Sequence, residues 1–342
     1  MASSASRVLR IAVSFALAAL LLWLFLKNLD LHAVGSAIRS ARPGWVVASV
    51  VLSLLVLPIR SWRWTWLLRT VGRVSQKDAF AATCIGFAAT TLLPARAGEV
   101  VRPVALARAA RIPVAPALMS VLLERLIDLL SILVLFIVFA LGGTSPEAAG
   151  PEAASRFDLL RRSSLGMGAG TLLALAVLTY FGRRPQKAMA LLEVLLRRLP
   201  ERFGGRLRTL AEGLLTALRP LETLRDAAVL TVSSAALWLV VCLQIHACLH
   251  AFDLSFRFPV AFFVLTWAVL GLTIPTPGGV GGYHAAVAYC LTGFYAVPPA
   301  TAAAFAVVSH AVSFVPVTLL GLLFLAGSGL RFESLRQAGD AG

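Results

Sequence analysis

The sequence predicts an all-α polytopic membrane protein: six full transmembrane helices and two re-entrant segments broken by proline and glycine, arranged as an inverted internal repeat. Three observations carry this expectation. Of the 342 residues, 59% are hydrophobic and 14% are charged, with a mean hydropathy of +0.85, more apolar surface than a soluble domain of this length needs. The apolar runs approach the roughly 20 residues of a helical span and are rich in Leu, Ala and Val, unlike the short alternating strands of a barrel. Two shorter apolar stretches, each closed by proline, occupy corresponding positions in the two halves of the chain.

Taken in order, Arg7 and Arg10 precede an apolar run at 11–26. It is followed by Lys27-Asn28-Leu29-Asp30 with no small-residue cleavage site, so it reads as an uncleaved span rather than a signal peptide. A second span at 45–68 holds Arg60 and Arg63 among Trp62, Trp64 and Trp66, which place its end at the interface with Arg63 snorkelling outward. Residues 79–93 are too few to cross and stop at Pro94. A long helix at 114–141, a loop to 163 and a fifth apolar run at 165–181 come next. In 182–225 leucines alternate with arginines, the pattern of a cytoplasmic amphipathic basic segment lying on the membrane surface. Residues 227–249 span, 259–274 are again short and end at Pro275-Thr276-Pro277, and 300–326 form the last span. The whole of 1–342 is expected to form a single transmembrane domain, with a first repeat at 42–141 and a second, inverted repeat at 225–327.

The repeat rests on aligned breaks. Phe80 matches Phe263, Thr90 matches Thr273, Pro94 matches Pro277 and Gly98 matches Gly281, all at one offset. Two residues further along in offset, Ile112-Pro113 fall on Val297-Pro298, Ala117 on Ala302 and Arg125 on His310. Charge then sets orientation. With both short segments re-entrant, most of the 31 lysines and arginines lie on the side of the N-terminus, including those of the 96–111 loop and of 182–225. With both segments crossing, those two clusters would face outward, against the positive-inside rule. The expected location is a bacterial inner membrane with both termini cytoplasmic. The net charge of +15 then reads as contact with anionic lipid head groups, not nucleic acid.

Candidate chemistry concentrates at 92–128. Glu124, Arg125 and Asp128 sit eleven to fifteen residues into an apolar helix, so about 16–20 Å along it and near the bilayer centre, where each charge costs about 2.5–3.5 kcal/mol. They form either an internal ion network that pins helices or a site for a polar ligand. Arg60, Arg96, Glu99 and Arg102 join them as candidate ligand-binding residues, since an arginine fork suits a phosphate and acids balance its charge when the site is empty. The tips are Pro94 and Gly98 in the first break and Pro277, Gly278, Gly279 and Gly281 in the second. His284 and His310 lie close to the second break and complete the candidate set. They are either a charge that switches near neutral pH or neutral hydrogen-bonding groups in the packing.

The glycine stretch lacks the Lys-Ser/Thr of a phosphate-binding loop and follows no strand, so no nucleotide site is expected. His246 and His250 have metal spacing but no third ligand nearby in sequence, so no metal is expected. Cys84, Cys242, Cys248 and Cys290 all lie in apolar runs and read as small core residues. No nucleophile and base stand together, so no catalytic residue, no cofactor and no enzymatic activity are expected.

The segment Leu93-Pro94-Ala95-Arg96-Ala97-Gly98-Glu99, with Glu124-Arg125, Asp128 and then Thr276-Pro277-Gly278-Gly279-Val280-Gly281, resembles the transmembrane domain of the lysylphosphatidylglycerol synthase/flippase family over about residues 10–328. The resemblance implies flipping of a modified or anionic phospholipid between leaflets. Related stand-alone domains are linked to other lipids or lipid-linked sugars. Synthase members carry an aminoacyltransferase domain after the membrane part, whereas about 16 residues follow the last span here, so this chain is not expected to charge a lipid itself. His284 and His310 stand where the family often has an acid and an arginine. The expected partners are a phospholipid or lipid-linked substrate, and a second copy of the chain or a separate enzyme. A non-catalytic subunit that binds a polyprenyl-phosphate sugar or hopanoid-type intermediate for such an enzyme is the alternative function.

Overall fold

The computed structural model describes residues 4–93, 97–142, 150–196 and 223–328, and among them every regular element is helical. Helix α1 spans Ser4–Leu26 and α2 spans Leu31–Ser40; the two are bent by 88° at the break between them. The sequence reading placed no helix at α2. Its start is set by Asp30, whose Oδ1 accepts from the amides of His32 (2.9 Å) and Ala33 (3.1 Å), two of the donors that a helix start leaves free. Val34 of α2 is buried against the core.

The next four helices are α3 (Pro43–Leu68), α4 (Gln76–Leu92), α5 (Gly98–Ala110) and α6 (Val114–Leu141). Helix α7 (Gly150–Arg183) and α8 (Pro185–Leu196) follow, and then α9 (Leu224–Ala251), α10 (Val260–Leu272), α11 (Gly282–Tyr295) and α12 (Pro299–Gly327). The order of lengths is long, short, short, long in both 43–141 and 224–327. By length and composition α3, α9 and α12 suffice to cross a membrane, and α1 with α2 counts as a fourth if taken as one span. At 28 residues α6 is as long, but it carries Glu124, Arg125 and Asp128.

Three expectations need correction. The loop at 96–111 is helical from Gly98, and Arg111 ends α5 in the left-handed region at φ 54°. Pro103 lies inside this helix. The loop expected up to residue 163 is likewise helical from Gly150, as part of the 34-residue α7. The basic segment at 182–225 is helical at Pro185–Leu196, and its residues 197–222 lie outside the described residues.

Each short pair folds back on itself. Cβ atoms added to Gly98 and Gly86 would meet Thr90 and Arg102 respectively, so as the α4 partner moves back along the chain the α5 partner moves forward. In the second pair Gly271 meets Gly282, Trp267 packs on Tyr289 and Phe263 on Phe294. Both are therefore helical hairpins. Their helices of 13–17 residues measure about 20–25 Å, short of a hydrocarbon layer of about 30 Å.

Long helices α3 and α9 run antiparallel along their length. Arg42 N donates to Ala251 O (2.8 Å), Ser49 Oγ to Gln244 O (3.2 Å) and Arg63 Nη1 to Ser234 Oγ (2.9 Å), and Arg69 pairs with Asp226. Around this pair the hairpins cross over. Helix α4 packs on α12, where Gly321 lets α12 approach the Cys84 carbonyl and Ala88, while Phe263 of α10 stacks on Phe139 of α6 at 4.9 Å. Lipid tails are as apolar as leucine, so such contacts draw on close packing at small residues more than on apolar burial.

Candidate functional site

Two helices set the charges face to face. On α3, Arg60 and Arg63 are three residues apart and share a face; on α6, Glu124 and Asp128 are four apart and do the same. Arg60 Nη1 lies 2.6 Å from Glu124 Oε1 and 2.8 Å from Asp128 Oδ2. Arg63 Nη2 lies 2.7 Å from Asp128 Oδ1 and 3.4 Å from Glu124 Oε1. Helix α5 adds Arg102, whose Nη1 is 3.0 Å from Glu124 Oε1 and whose guanidinium stacks over the Trp64 ring at 4.0 Å. Trp64 is itself anchored by Nε1 to Ser120 Oγ at 2.9 Å. All five charged side chains are at least 95% buried. In such a setting each charge needs a partner, because desolvation alone costs several kcal/mol per ion.

The sequence reading brought Arg60, Arg102, Glu124 and Asp128 to one site, and the structure places them together. Arg63 was read as snorkelling to the interface; it is instead fully buried between Asp128 and Ser234. The tryptophans misled there. Trp62 and Trp66 share a helix face on which their rings lie 5.9 Å apart, whereas Trp64 turns inward with the arginines. Arg125 and Glu99 form a half-exposed rim, with Nε to Oε1 at 3.4 Å and Arg125 Nη1 3.7 Å from Asp128 Oδ2. Arg96 and Pro94 lie outside the described residues. Gly98 is where α5 starts, four residues and one turn before Arg102, and it allows the close contact with Gly86 and Thr90.

Beside the cluster is a cavity of about 200 Å³ with Arg60 in its wall. It lies between the two sets of helices: Phe87 and Thr91 come from α4, Gln244 from α9, Leu272 from α10 and Phe314 from α12. Phe87 also meets the Arg60 guanidinium at 5.6 Å. The lining is mostly apolar with a few polar groups, the usual make-up of a small-ligand site. Thr91, near the end of α4 and part of this lining, packs beside Gly278 of the second break.

The second break is a 3₁₀ turn, Pro277–Gly279, and positive φ at Gly278 (59°), Gly279 (70°) and Gly281 (85°) explains its glycines. His284 and His310 hold this turn rather than join the charge cluster. The His310 ring Nε2 is 2.8 Å from the Gly278 carbonyl, so it carries the proton, and His284 Nδ1 accepts from the Gly281 amide at 3.4 Å. The two rings are 4.6 Å apart, and His310 reaches the cavity wall through Tyr283 and Phe314. His246 and His250 face each other at 3.2 Å, and no group of three metal-binding side chains occurs among the described residues.

Comparison with known proteins adds three findings. A family model described as the lysylphosphatidylglycerol synthase TM region matches residues 9–321. Glycosyltransferase AglD of Haloferax volcanii is 28% identical over 346 residues, covering 92% of this chain and 54% of that protein. A UPF0104 membrane protein of Methanothermobacter thermautotrophicus is 26% identical over 308 residues, covering 86% and 87%. The chain thus spans about half the length of the glycosyltransferase and most of the length of the other relative.

Proposed function

The chain belongs to the lysylphosphatidylglycerol synthase TM-region family, and from that premise we propose that it moves a lipid head group between membrane leaflets through the cavity beside Arg60. The observation that carries this reading is a buried charge cluster whose Arg60 forms part of the wall of a cavity between both sets of helices. Ion networks that only pin helices have no need of a cavity. A head group would enter the cavity at Arg60 while its tails stay in the bilayer, and the contact of Thr91 with Gly278 would be the barrier that opens.

In this reading 42–141 and 225–327 are inverted repeats, with six crossings and two re-entrant hairpins. The membrane is a bacterial inner membrane and both termini are cytoplasmic. One cysteine tests the orientation cleanly, because the four native cysteines are all buried. An Arg108→Cys variant, at an exposed position on α5, should react with a membrane-impermeant maleimide only after the cytoplasmic side is opened. Labelling in intact cells would overturn the re-entrant arrangement.

A second reading, a non-catalytic subunit that holds a lipid-linked intermediate for a separate enzyme, is favoured by the longer glycosyltransferase among the relatives. Leaflet-resolved quenching in proteoliposomes separates the two. A transporter equilibrates a fluorescent anionic phospholipid across the bilayer, whereas a holding subunit binds it and leaves the leaflets as they were.

A further inference from the structure

The buried cluster has an odd charge. Arg63 pairs with Asp128 and Arg102 with Glu124, one to one, and Arg125 with Glu99 at the rim is balanced as well. Arg60 is left over. It reaches both acids through Nη1 alone, its Nε has no hydrogen-bond partner, as is true of Arg63 and Arg102, and what sets it apart is that of the three buried arginines it is the one in the cavity wall. The described residues of the site thus carry one uncompensated positive charge next to the space a ligand would enter.

We propose that this surplus selects the ligand by charge: the cavity takes a head group whose oxyanion bears a single negative charge, a phosphodiester, bound at Arg60. The inference rests on reading the cavity as a head-group site. An arginine fork holds two phosphate oxygens by parallel bonds, and one negative charge makes the cluster neutral, which removes the cost of an unpaired buried cation. A diphosphate overshoots. Its extra charge would face Glu124 and Asp128, both already engaged by Arg63 and Arg102. In this scheme Arg60 touches the ligand, and Arg63 and Arg102 are positioning residues that keep the two acids compensated when Arg60 turns to it.

The test is binding to the full chain in maltoside micelles, which contain no phosphate. The probes are phosphatidylglycerol, farnesyl diphosphate and glycerophosphoglycerol, the last being the same head group without tails. The wild type should bind phosphatidylglycerol at least tenfold more tightly than the diphosphate. Asp128→Asn adds one positive charge and should shift that ratio at least tenfold toward the diphosphate. Glu99→Gln, on the half-exposed rim, should shift it the same way and covers the case in which Asp128→Asn does not fold. Equal affinity for the two lipids in the wild type, or an unchanged ratio in both variants, would overturn the charge rule. Equal affinity for glycerophosphoglycerol and phosphatidylglycerol would keep the rule and reject a lipid source. Because only binding is read, loss of lipid transfer with the ratio intact would reject the transport reading and leave this one standing.

Discussion

Replacing Glu124 with alanine is expected to cost about 3–5 kcal/mol of stability. One carboxylate oxygen, Oε1, lies within 3.4 Å of Arg60, Arg63 and Arg102 together. Its removal leaves three buried guanidinium groups with Asp128 as the one remaining carboxylate of the buried cluster. The variant should give little monodisperse protein in detergent and a thermal midpoint far below wild type. Glu124→Gln keeps the volume and a hydrogen-bond acceptor but not the charge, so it should fall between the two. A Glu124→Ala protein that matched wild type in both measurements would mean that the cluster is not held in the buried, ionised form described here.

Gly98→Val is the second large effect, through backbone geometry. A Cβ at this position would fall against the Gly86 carbonyl and Thr90 Oγ1, and the Thr90 amide would be 2.7 Å away. Two of these three atoms are backbone and cannot turn aside, so the α4–α5 hairpin must open. Overpacking of this kind costs about 1–3 kcal/mol, and it acts one turn before Arg102, pulling that guanidinium away from Glu124. Loss of stability and loss of lipid transfer should therefore appear together, and Gly98→Ala should show the same pair more weakly. Gly44 lies in open space, and Gly44→Ala should change neither.

The sequence disclosed this site unevenly, for physical reasons. Glu124 and Asp128 stand out because charges deep in an apolar helix are expensive wherever they point. Their partners are harder to see. Arg63 lies near a helix end among three tryptophans, where snorkelling is the ordinary outcome, and only the helical wheel separates Trp64, which is buried, from Trp62, which is 45% exposed. With 3.6 residues per turn, positions 60, 63 and 64 share one side and 62 and 66 the other, so the signal was present and was outweighed by composition. Ser234 gave none, being one small polar residue among many on α9. Both hairpin breaks were legible because proline and glycine mark them directly, but α5 was not, since the four arginines of 96–111 read as a basic loop. His310 comes to rest on the Gly278 carbonyl through a tertiary contact that no local pattern encodes, whereas His284 bonds the Gly281 amide only three residues before it.

Arg60 faces the head group while Arg63 and Arg102 keep the ionised acids charge-balanced, and Arg60→Gln separates the two roles. Removing Arg60 leaves two acids paired one to one with two arginines, so the variant should fold with a thermal midpoint close to wild type. In leaflet-resolved proteoliposome assays its transfer of phosphatidylglycerol should be at least tenfold slower than that of the wild type. Transfer at the wild-type rate by a well-folded Arg60→Gln protein would contradict the account.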